Sequence, residues 1–397
     1  MRILFLTSRW PLPPVTGDRI RAFYFLQHLS QKHDVTLVSF VEDEYQKKLL
    51  DSAKMKLDVR VVRFHKGVSL AARLARGVFS SLPLQVHYYT QRQMRYAVNK
   101  EIASGRYDLV FVHLLRMVEY VDQSLPIPKI IDLTDAISLN YARLLRFSGF
   151  YQNRGFRKVY SMEKNRVTRY EDEVLKNFDA SVVISKVDRD YLAQRTNVSR
   201  LHVVKNGVNL KYFRFFPNGY DPNKIVFHGN MNYLPNVDAA LYFYRDVFPR
   251  IKKERPAAKL YLVGTAPAKQ ILDLKKFSDV FVTGRLNDLR PQLRDAAVSI
   301  CPLRAGAGLQ NKVLEAMAIG APVVTTTVGL EGIDVEPGKH LELADSPEAF
   351  AEKVLSFLKE PDKRAEFSRN ARQLVERKYT WEKVLRPLDA ILEQFNR

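Results

Sequence analysis

The sequence predicts an α/β protein of two Rossmann-like, doubly wound domains facing across a cleft. Three observations carry that prediction. Short apolar runs of strand type alternate with stretches of helical spacing, the pattern of a parallel sheet covered by helices. The alternation restarts at Ile225, after a segment near residues 206–224. A chain of 397 residues is also long enough for two good cores.

Arg2–Thr7 reads as the first strand. A helix follows within Thr16–Ser30, where Ala22, Phe23, Phe25, Leu26 and Leu29 fall at helical spacing. Val35–Phe40 and Val59–Phe64 are the next strands, and Asp108–His113 and Lys129–Leu133 read as buried ones. A long charged helix over 156–177 precedes a strand at Asp179–Ile184, and His202–Lys205 closes this half. Ile225–His228 opens the second half, with a helix near 236–253. Strands at Lys259–Val263, Val280–Thr283, Val298–Cys301 and Pro322–Thr325 continue it. The expected domains are residues 1–205 and 206–380. Ligands of such sheets bind beyond the carboxyl ends of the strands.

Composition is that of a globular protein, with 46% hydrophobic and 27% charged residues. One cysteine, Cys301, excludes a disulfide framework and a thiolate zinc site. No run of about 18 apolar residues suggests a membrane span. The opening apolar run, Ile3–Leu6, is a strand rather than a signal peptide, so a cytoplasmic protein is expected. The first strand is not followed by Gly-x-Gly-x-x-Gly, and there is no P-loop string, which weighs against dinucleotide enzymes and P-loop NTPases. Net charge is +20, of which +14 falls in residues 1–205. A basic N-terminal half calls for an anionic partner or surface.

The most informative stretch is 296–330, AAVSICPLRAGAGLQNKVLEAMAIGAPVVTTTVGL, which reads as strand, glycine loop, helix and strand. Gly306 and Gly308 sit in the loop, and Lys312–Ile319 has helical spacing that Gly320 stops. A glycine loop feeding a helix start presents unpaired N–H groups at the positive end of the helix dipole, a phosphate site. Lys312 adds a full charge there, and Glu315, one turn on, can accept hydrogen bonds from ribose hydroxyls.

The string NKVLEAMAIGAPVVTT closely resembles the donor-site helix of family 4 glycosyltransferases, nucleotide-sugar-dependent enzymes with two Rossmann-like domains (the GT-B fold). The resemblance runs through nearly the whole chain in order. Pro13-Pro14-Val15-Thr16-Gly17, followed by Arg19 and Arg21, is similar to the family's N-terminal glycine loop, with Gly17 at the donor phosphates and Arg19 an acceptor candidate. Thr16 or Asp18 would cap the helix in the plainer reading. Asp108–His113 resembles the strand whose terminal histidine touches the donor sugar, which implies a catalytic His113. Val204-Lys205-Asn206-Gly207-Val208-Asn209 matches the interdomain segment. Phe227-His228-Gly229-Asn230-Met231-Asn232 is similar to the glycine loop opening the donor domain, which implies donor contacts for Gly229 and Asn230. Many relatives follow it with an Arg and a Lys for the diphosphate; this chain has Asn232 and Asn236, so Arg304 and Lys312 stand in for them. Gly306, Gly308, Gln310, Asn311 and Glu315 complete the implied donor set. The first of the family's two donor-helix glutamates falls on Ala307. A subgroup associated with exopolysaccharide and PEP-CTERM gene clusters has the same kind of Gly-x-Gln-Asn-Lys-Val-Leu-Glu string, so Ala307 reads as a subgroup trait. The C-terminal helix, from Trp381 to 397, is implied to cross back onto the first domain.

The resemblance implies a retaining transfer from a nucleotide-diphosphate sugar, with no metal and no cofactor. Backbone N–H groups, Arg304 and Lys312 would stabilise the leaving diphosphate. Asp132 and Asp135 follow a strand, and their spacing is not the Asp-x-Asp metal motif; acceptor binding and helix capping stay open for both. Residues 67–82 mix apolar side chains with Arg73 and Arg76. Arg143, Arg146, Arg154, Arg157 and Lys158 cluster around Phe147, Phe150, Tyr151 and Phe156. Basic residues interleaved with aromatics suit an anionic membrane surface and a glycan or lipid-linked acceptor; with no nucleic-acid motif, RNA is disfavoured. The expectation is a peripheral enzyme on the inner face of the plasma membrane that acts in exopolysaccharide synthesis. Its rivals are a nucleotide-sugar epimerase and a catalytically degenerate nucleotide-sugar-binding protein.

Overall fold

The computed structural model describes residues 1–42, 55–65, 77, 80–146, 154–216, 218–306 and 308–396. Arg73 and Arg76, Phe147, Phe150 and Tyr151, and Ala307 lie outside the described residues. The chain divides into two compact units, Met1–Lys205 with Leu385–Arg397, and Asn206–Val384.

The first unit holds a seven-stranded sheet in the order β3-β2-β1-β4-β5-β6-β7. Its strands are β1 (Arg2–Thr7), β2 (Asp34–Val41), β3 (Asp58–Arg63), β4 (Leu109–His113), β5 (Lys129–Thr134), β6 (Ala180–Val183) and β7 (Leu201–Val203). All pairings are parallel. Ile3–Leu6 and Leu109–Val112 are fully buried, the unbroken apolar runs of strands covered on both faces. The strand order reverses between β1 and β4. Register sets Thr7 beside His113, and His113 beside Asp132.

The second unit repeats the plan with six parallel strands in the order β10-β9-β8-β11-β12-β13. These are β8 (Asp221–His228), β9 (Lys259–Val263), β10 (Val280–Gly284), β11 (Ala296–Cys301), β12 (Val323–Thr325) and β13 (Glu342–Leu343). The order reverses between β8 and β11, so the loops after these two strands share one end of the sheet.

Two expectations are corrected. The helix expected near 236–253 starts at Leu234 and is interrupted: Leu234–Tyr242 gives way to a π-turn over Phe243–Val247, then to Phe248–Glu254. Pro249 has no N–H to donate to the carbonyl four residues back and its ring crowds that carbonyl, so the turn before it widens. The C-terminal helix is two pieces, Trp381–Val384 and Arg386–Glu393, which break at Leu385 just before Pro387. The first piece stays with the second unit, where Gly207 admits the Trp381 backbone: a Cβ on Gly207 would stand 2.7 Å from Trp381 N. The second piece joins the first unit, burying Leu388, Ile391 and Leu392. There Asp389 lies 2.7 Å from His28 Nε2 and accepts from Lys32 Nζ at 2.7 Å. No helix among the described residues is long and apolar enough to cross a membrane.

Candidate functional site

In the first unit the carboxyl ends of β1, β4 and β5 bring Gly17, Asp18, His113 and Asp132 together. Arg21, on the Gly17–Leu29 helix, is fully buried. Its Nε and Nη2 donate to the two Asp132 oxygens at 2.8 Å each, and Nη1 donates to the Val204 carbonyl at 2.8 Å. This bidentate pairing fixes the carboxylate plane. Asp132 Oδ2 lies 2.9 Å from His113 Nδ1, and His113 Nε2 lies 3.1 Å from the Asp18 carbonyl oxygen. Burial alone would raise the Asp132 carboxyl; Arg21 and the His113 hydrogen bond outweigh it and hold Asp132 well below the usual carboxylate range. His113 is fully buried and meets oxygen at both ring nitrogens, so it anchors the loop that carries Gly17.

Asp18 is the second hub. Its Oδ2 accepts from Arg116 at 3.0 Å and Arg9 at 3.2 Å, and Oδ1 accepts from the Thr16 hydroxyl at 2.7 Å. Burial pushes this carboxyl upward, but the two arginines and Thr16 win and hold it at about 2. Thr16 therefore spends its hydroxyl on Asp18 and does not cap the helix. Asp135 lies within electrostatic reach of Arg21 and Asp132. Burial, then the like charge of Asp188, push its carboxyl well above the usual range. Two residues beside the site, Leu114 (φ 77°) and Thr134 (φ 66°), hold the left-handed backbone that costs a non-glycine residue, and a β-branched one most. Arg19, in the first turn of the Gly17–Leu29 helix, makes no side-chain hydrogen bond or ion pair among the described residues.

In the second unit the loops after β8 and β11 converge on Lys312. The Asn311–Ile319 helix starts at Asn311, whose Oδ1 accepts from Asn206 Nδ2 at 3.0 Å, and it ends at Gly320 in the left-handed conformation (φ 94°). Gly306 and Gly308 also have positive φ, 142° and 75°. Gln310 Nε2 reaches the Gly308 carbonyl at 3.5 Å, the limit of a hydrogen bond. Lys312 Nζ donates to Asn236 Oδ1 at 2.5 Å and sits 4.9 Å from the centre of the Phe227 ring. No carboxylate lies within ion-pair distance of it among the described residues. Burial lowers the Lys312 ammonium, opposed in part by Cys301 and Glu315. Gly229 belongs to the same group: a Cβ there would come 3.0 Å from Asn236 Nδ2 and 3.4 Å from Lys312 Nζ. Asn230 turns its carbonyl to Asn236 Nδ2 at 2.9 Å.

Glu315 Oε2 faces His228 Nε2 at 2.9 Å, while His228 Nδ1 is buried with no hydrogen-bond partner in the structure. Arg304 is held elsewhere in the unit. Its Nε and Nη2 donate to Asp238 at 3.0 and 2.6 Å, and its guanidinium lies 4.5 Å from the centre of the Tyr242 ring. Of the two cations named from the sequence, Lys312 is therefore the one without an acidic partner. Sequence reasoning misses Arg21, Arg116 and Asp238 as partners, because pairing across 66 to 111 residues leaves no local signal. Among the described residues no cluster of His, Cys, Asp and Glu is arranged to hold a metal ion.

Solved structures share this architecture end to end. Sucrose-phosphate synthase from Thermosynechococcus elongatus superimposes with a TM-score of 0.70 at 16% identity, over 99% of this chain and 98% of its own. HepE from Anabaena, in complex with UDP-glucose, gives 0.67 at 15% identity, over 99% and 100%. The chain has the GT-B fold. Within the GT-B second unit, residues 222–360 match the family described as glycosyl transferases group 1. A curated relative is 24% identical over 96% of this chain and 97% of its own length; it is described as an uncharacterized 44.6 kDa protein in the cps region of Klebsiella pneumoniae. Fold and family match together support a GT-B glycosyltransferase.

Proposed function

We propose that this chain is a retaining, metal-independent glycosyltransferase that moves a sugar from a nucleotide-diphosphate sugar to a glycan or lipid-linked acceptor in cell-surface polysaccharide synthesis. The observation that carries the reading is Lys312, a half-buried cation at a helix start with an amide oxygen and an aromatic face for company and no carboxylate. Desolvating a charge without a counter-charge is costly, and a bound diphosphate repays that cost. Gly229, Gly306 and Gly308 keep side chains away from the same end of the sheet, as close approach of phosphate requires.

In the proposed reaction the bond between the anomeric carbon and the diphosphate breaks as the acceptor oxygen attacks on the same face. The acceptor proton passes to the leaving phosphate oxygen. Lys312 and the helix-start N–H groups stabilise the charge that develops there. Glu315, oriented by His228, receives the ribose hydroxyls. The Arg21–Asp132–His113 chain acts as positioning machinery for the Gly17 loop.

The cps-region relative supports a cell-surface polysaccharide as the destination. Arg157, Lys158, Val159 and Met162 are exposed at the start of the Arg154–Asn177 helix, and they support docking on an anionic membrane. HepE, a structural relative, is seen with UDP-glucose, so UDP-sugars lead the donor panel.

The test is nucleotide release by the purified protein against UDP-, GDP-, ADP- and dTDP-sugars, with and without membrane extract and a chelator. Release with one donor, undiminished by chelator and increased by extract, is the expected result. No release with any donor, in a sample that still binds nucleotide, leaves the degenerate binding protein. Conversion of the donor sugar without an acceptor identifies an epimerase.

A further inference from the structure

One helix meets Arg304 and Lys312 in opposite ways. Arg304 donates twice to a carboxylate, that of Asp238. Lys312 donates to an amide, that of Asn236, two residues earlier on the same Leu234–Tyr242 helix. Residues two apart lie on different sides of a helix. This helix therefore delivers a counter-charge to one cation and a neutral acceptor to the other.

The Asn236 amide is held one way round. The residue is 5% exposed. Its Nδ2 donates to the Asn230 carbonyl at 2.9 Å, and its Oδ1 accepts from Lys312 Nζ at 2.5 Å. A carbonyl only accepts and an ammonium only donates. Turned over, the amide would set oxygen against oxygen and N–H against ammonium. The Asn230 carbonyl thus decides which end of the amide the lysine meets. Gly229, next to Asn230 in the loop after β8, stands over the pair: a Cβ there would come 3.0 Å from Asn236 Nδ2 and 3.4 Å from Lys312 Nζ. Loop, amide and ammonium are one connected group.

An ammonium has three donors, and Asn236 takes one of them. The Phe227 ring, its centre 4.9 Å from Nζ, attracts the charge without neutralising it. The titratable groups that act on Lys312 are Cys301, at the end of β11, and Glu315, one turn along its own helix. Burial pushes the Cys301 thiol up, which keeps it neutral, and Glu315 faces His228. A carboxylate in place of the Asn236 amide would have nearly the same shape. It would pair with the ammonium and turn an oxygen to the Asn230 carbonyl.

We propose that Asn236 is a positioning residue, which aims the Lys312 ammonium through one hydrogen bond and, being neutral, leaves its charge open to a phosphate or diphosphate anion. That the anion is the diphosphate of a sugar donor rests on the reading above; the hold of Asn236 on Lys312 does not.

Two substitutions pull the ammonium in opposite directions. Asn236→Asp sets a carboxylate beside it and favours the charged form; Asn236→Ala removes an acceptor and disfavours that form. Protein labelled with carbon-13 at the lysine ε-carbon, its signal assigned by Lys312→Arg, reports the titration directly. The Lys312 midpoint should rise in Asn236→Asp and fall in Asn236→Ala. Calorimetry at neutral pH with inorganic pyrophosphate should show Asn236→Ala binding about tenfold more weakly than the parent, and Asn236→Asp about a hundredfold more weakly, since the added carboxylate also repels the anion. UDP, GDP, ADP and dTDP are run alongside, each with its nucleoside. The diphosphate that binds should follow the same order, while its nucleoside binds all three proteins alike. Midpoints that stay put or move the same way overturn the proposal, and so does a nucleoside that weakens in step with its diphosphate. A parent that binds a nucleoside diphosphate, with Asn236→Asp binding it as tightly, removes the role of Asn236 and leaves the transferase. Pyrophosphate binding in the expected order with no nucleoside diphosphate bound removes the transferase and leaves Asn236. A parent that binds neither removes both.

Discussion

Lys312 and Asp135 are each held in an environment that works against their charge. For Lys312 the compensation is external, so Lys312→Ala is expected to lower donor-dependent nucleotide release by about 10²–10³-fold with circular dichroism unchanged. Because burial lowers its ammonium, donor affinity of the parent should fall on the alkaline side at a pH below that of free lysine, and titration calorimetry across that range checks it. Asp135 works in the other direction. Its folded-state carboxyl titrates above the ordinary value, so the fold has this group's full contribution below about pH 4 and loses it as pH rises toward the raised value. Asp135→Asn mimics the protonated form. Its melting temperature should match the parent near about pH 4 and exceed it progressively as pH rises from there. Asp18 has the opposite sign. Held at about 2, it contributes above about pH 4 and is lost as pH falls through about 2, a contribution on the order of 2 kcal/mol.

At the scale of elements, two strand ends of the second unit touch. A Cβ on Gly264 would lie 1.7 Å from the Gly229 carbonyl oxygen, so the loops after β8 and β9 meet backbone to backbone. Gly264→Ala must displace Gly229, the neighbour of Lys312. We expect a loss of about 2–3 kcal/mol in denaturant melts together with weaker nucleotide binding; unchanged affinity in a folded variant would show that Gly229 is not part of the donor site. The same scale shows what the sequence discloses. Strands such as Arg2–Thr7 and Leu109–His113 are legible because burial on both faces demands an apolar run. The Arg92–Ala103 helix escapes notice because it buries only Met94, Val98 and Glu101, too thin a stripe to register as a period. The π-turn before Pro249 depends on how the helix continues past the proline. In the site, the positions of His113, Gly229 and Lys312 at strand ends and a helix start follow from local pattern. Their partners Asp132, Asn236 and, for Arg304, Asp238 become neighbours only once each sheet is assembled.

For the whole molecule, charge is the quantity that matters. Residues 1–205 carry +14 of the net +20, and exposed charge is screened within about 10 Å at about 0.1 M salt. Flotation with anionic vesicles should therefore retain the protein at low salt and release it at high salt, while neutral vesicles fail to retain it at either. Retention by neither kind would end the membrane reading without touching the donor site. The closing Arg386–Glu393 helix has a temporal meaning as well. Its Asp389 grips His28 and Lys32, and its Leu388, Ile391 and Leu392 are buried, so residues translated after the second unit complete the first. On the ribosome, residues 1–205 emerge with all seven of their strands while Leu388, Ile391 and Leu392 are still to be made. A stop codon before Arg386 should therefore strip apolar cover from the first unit, although the cut falls after the second.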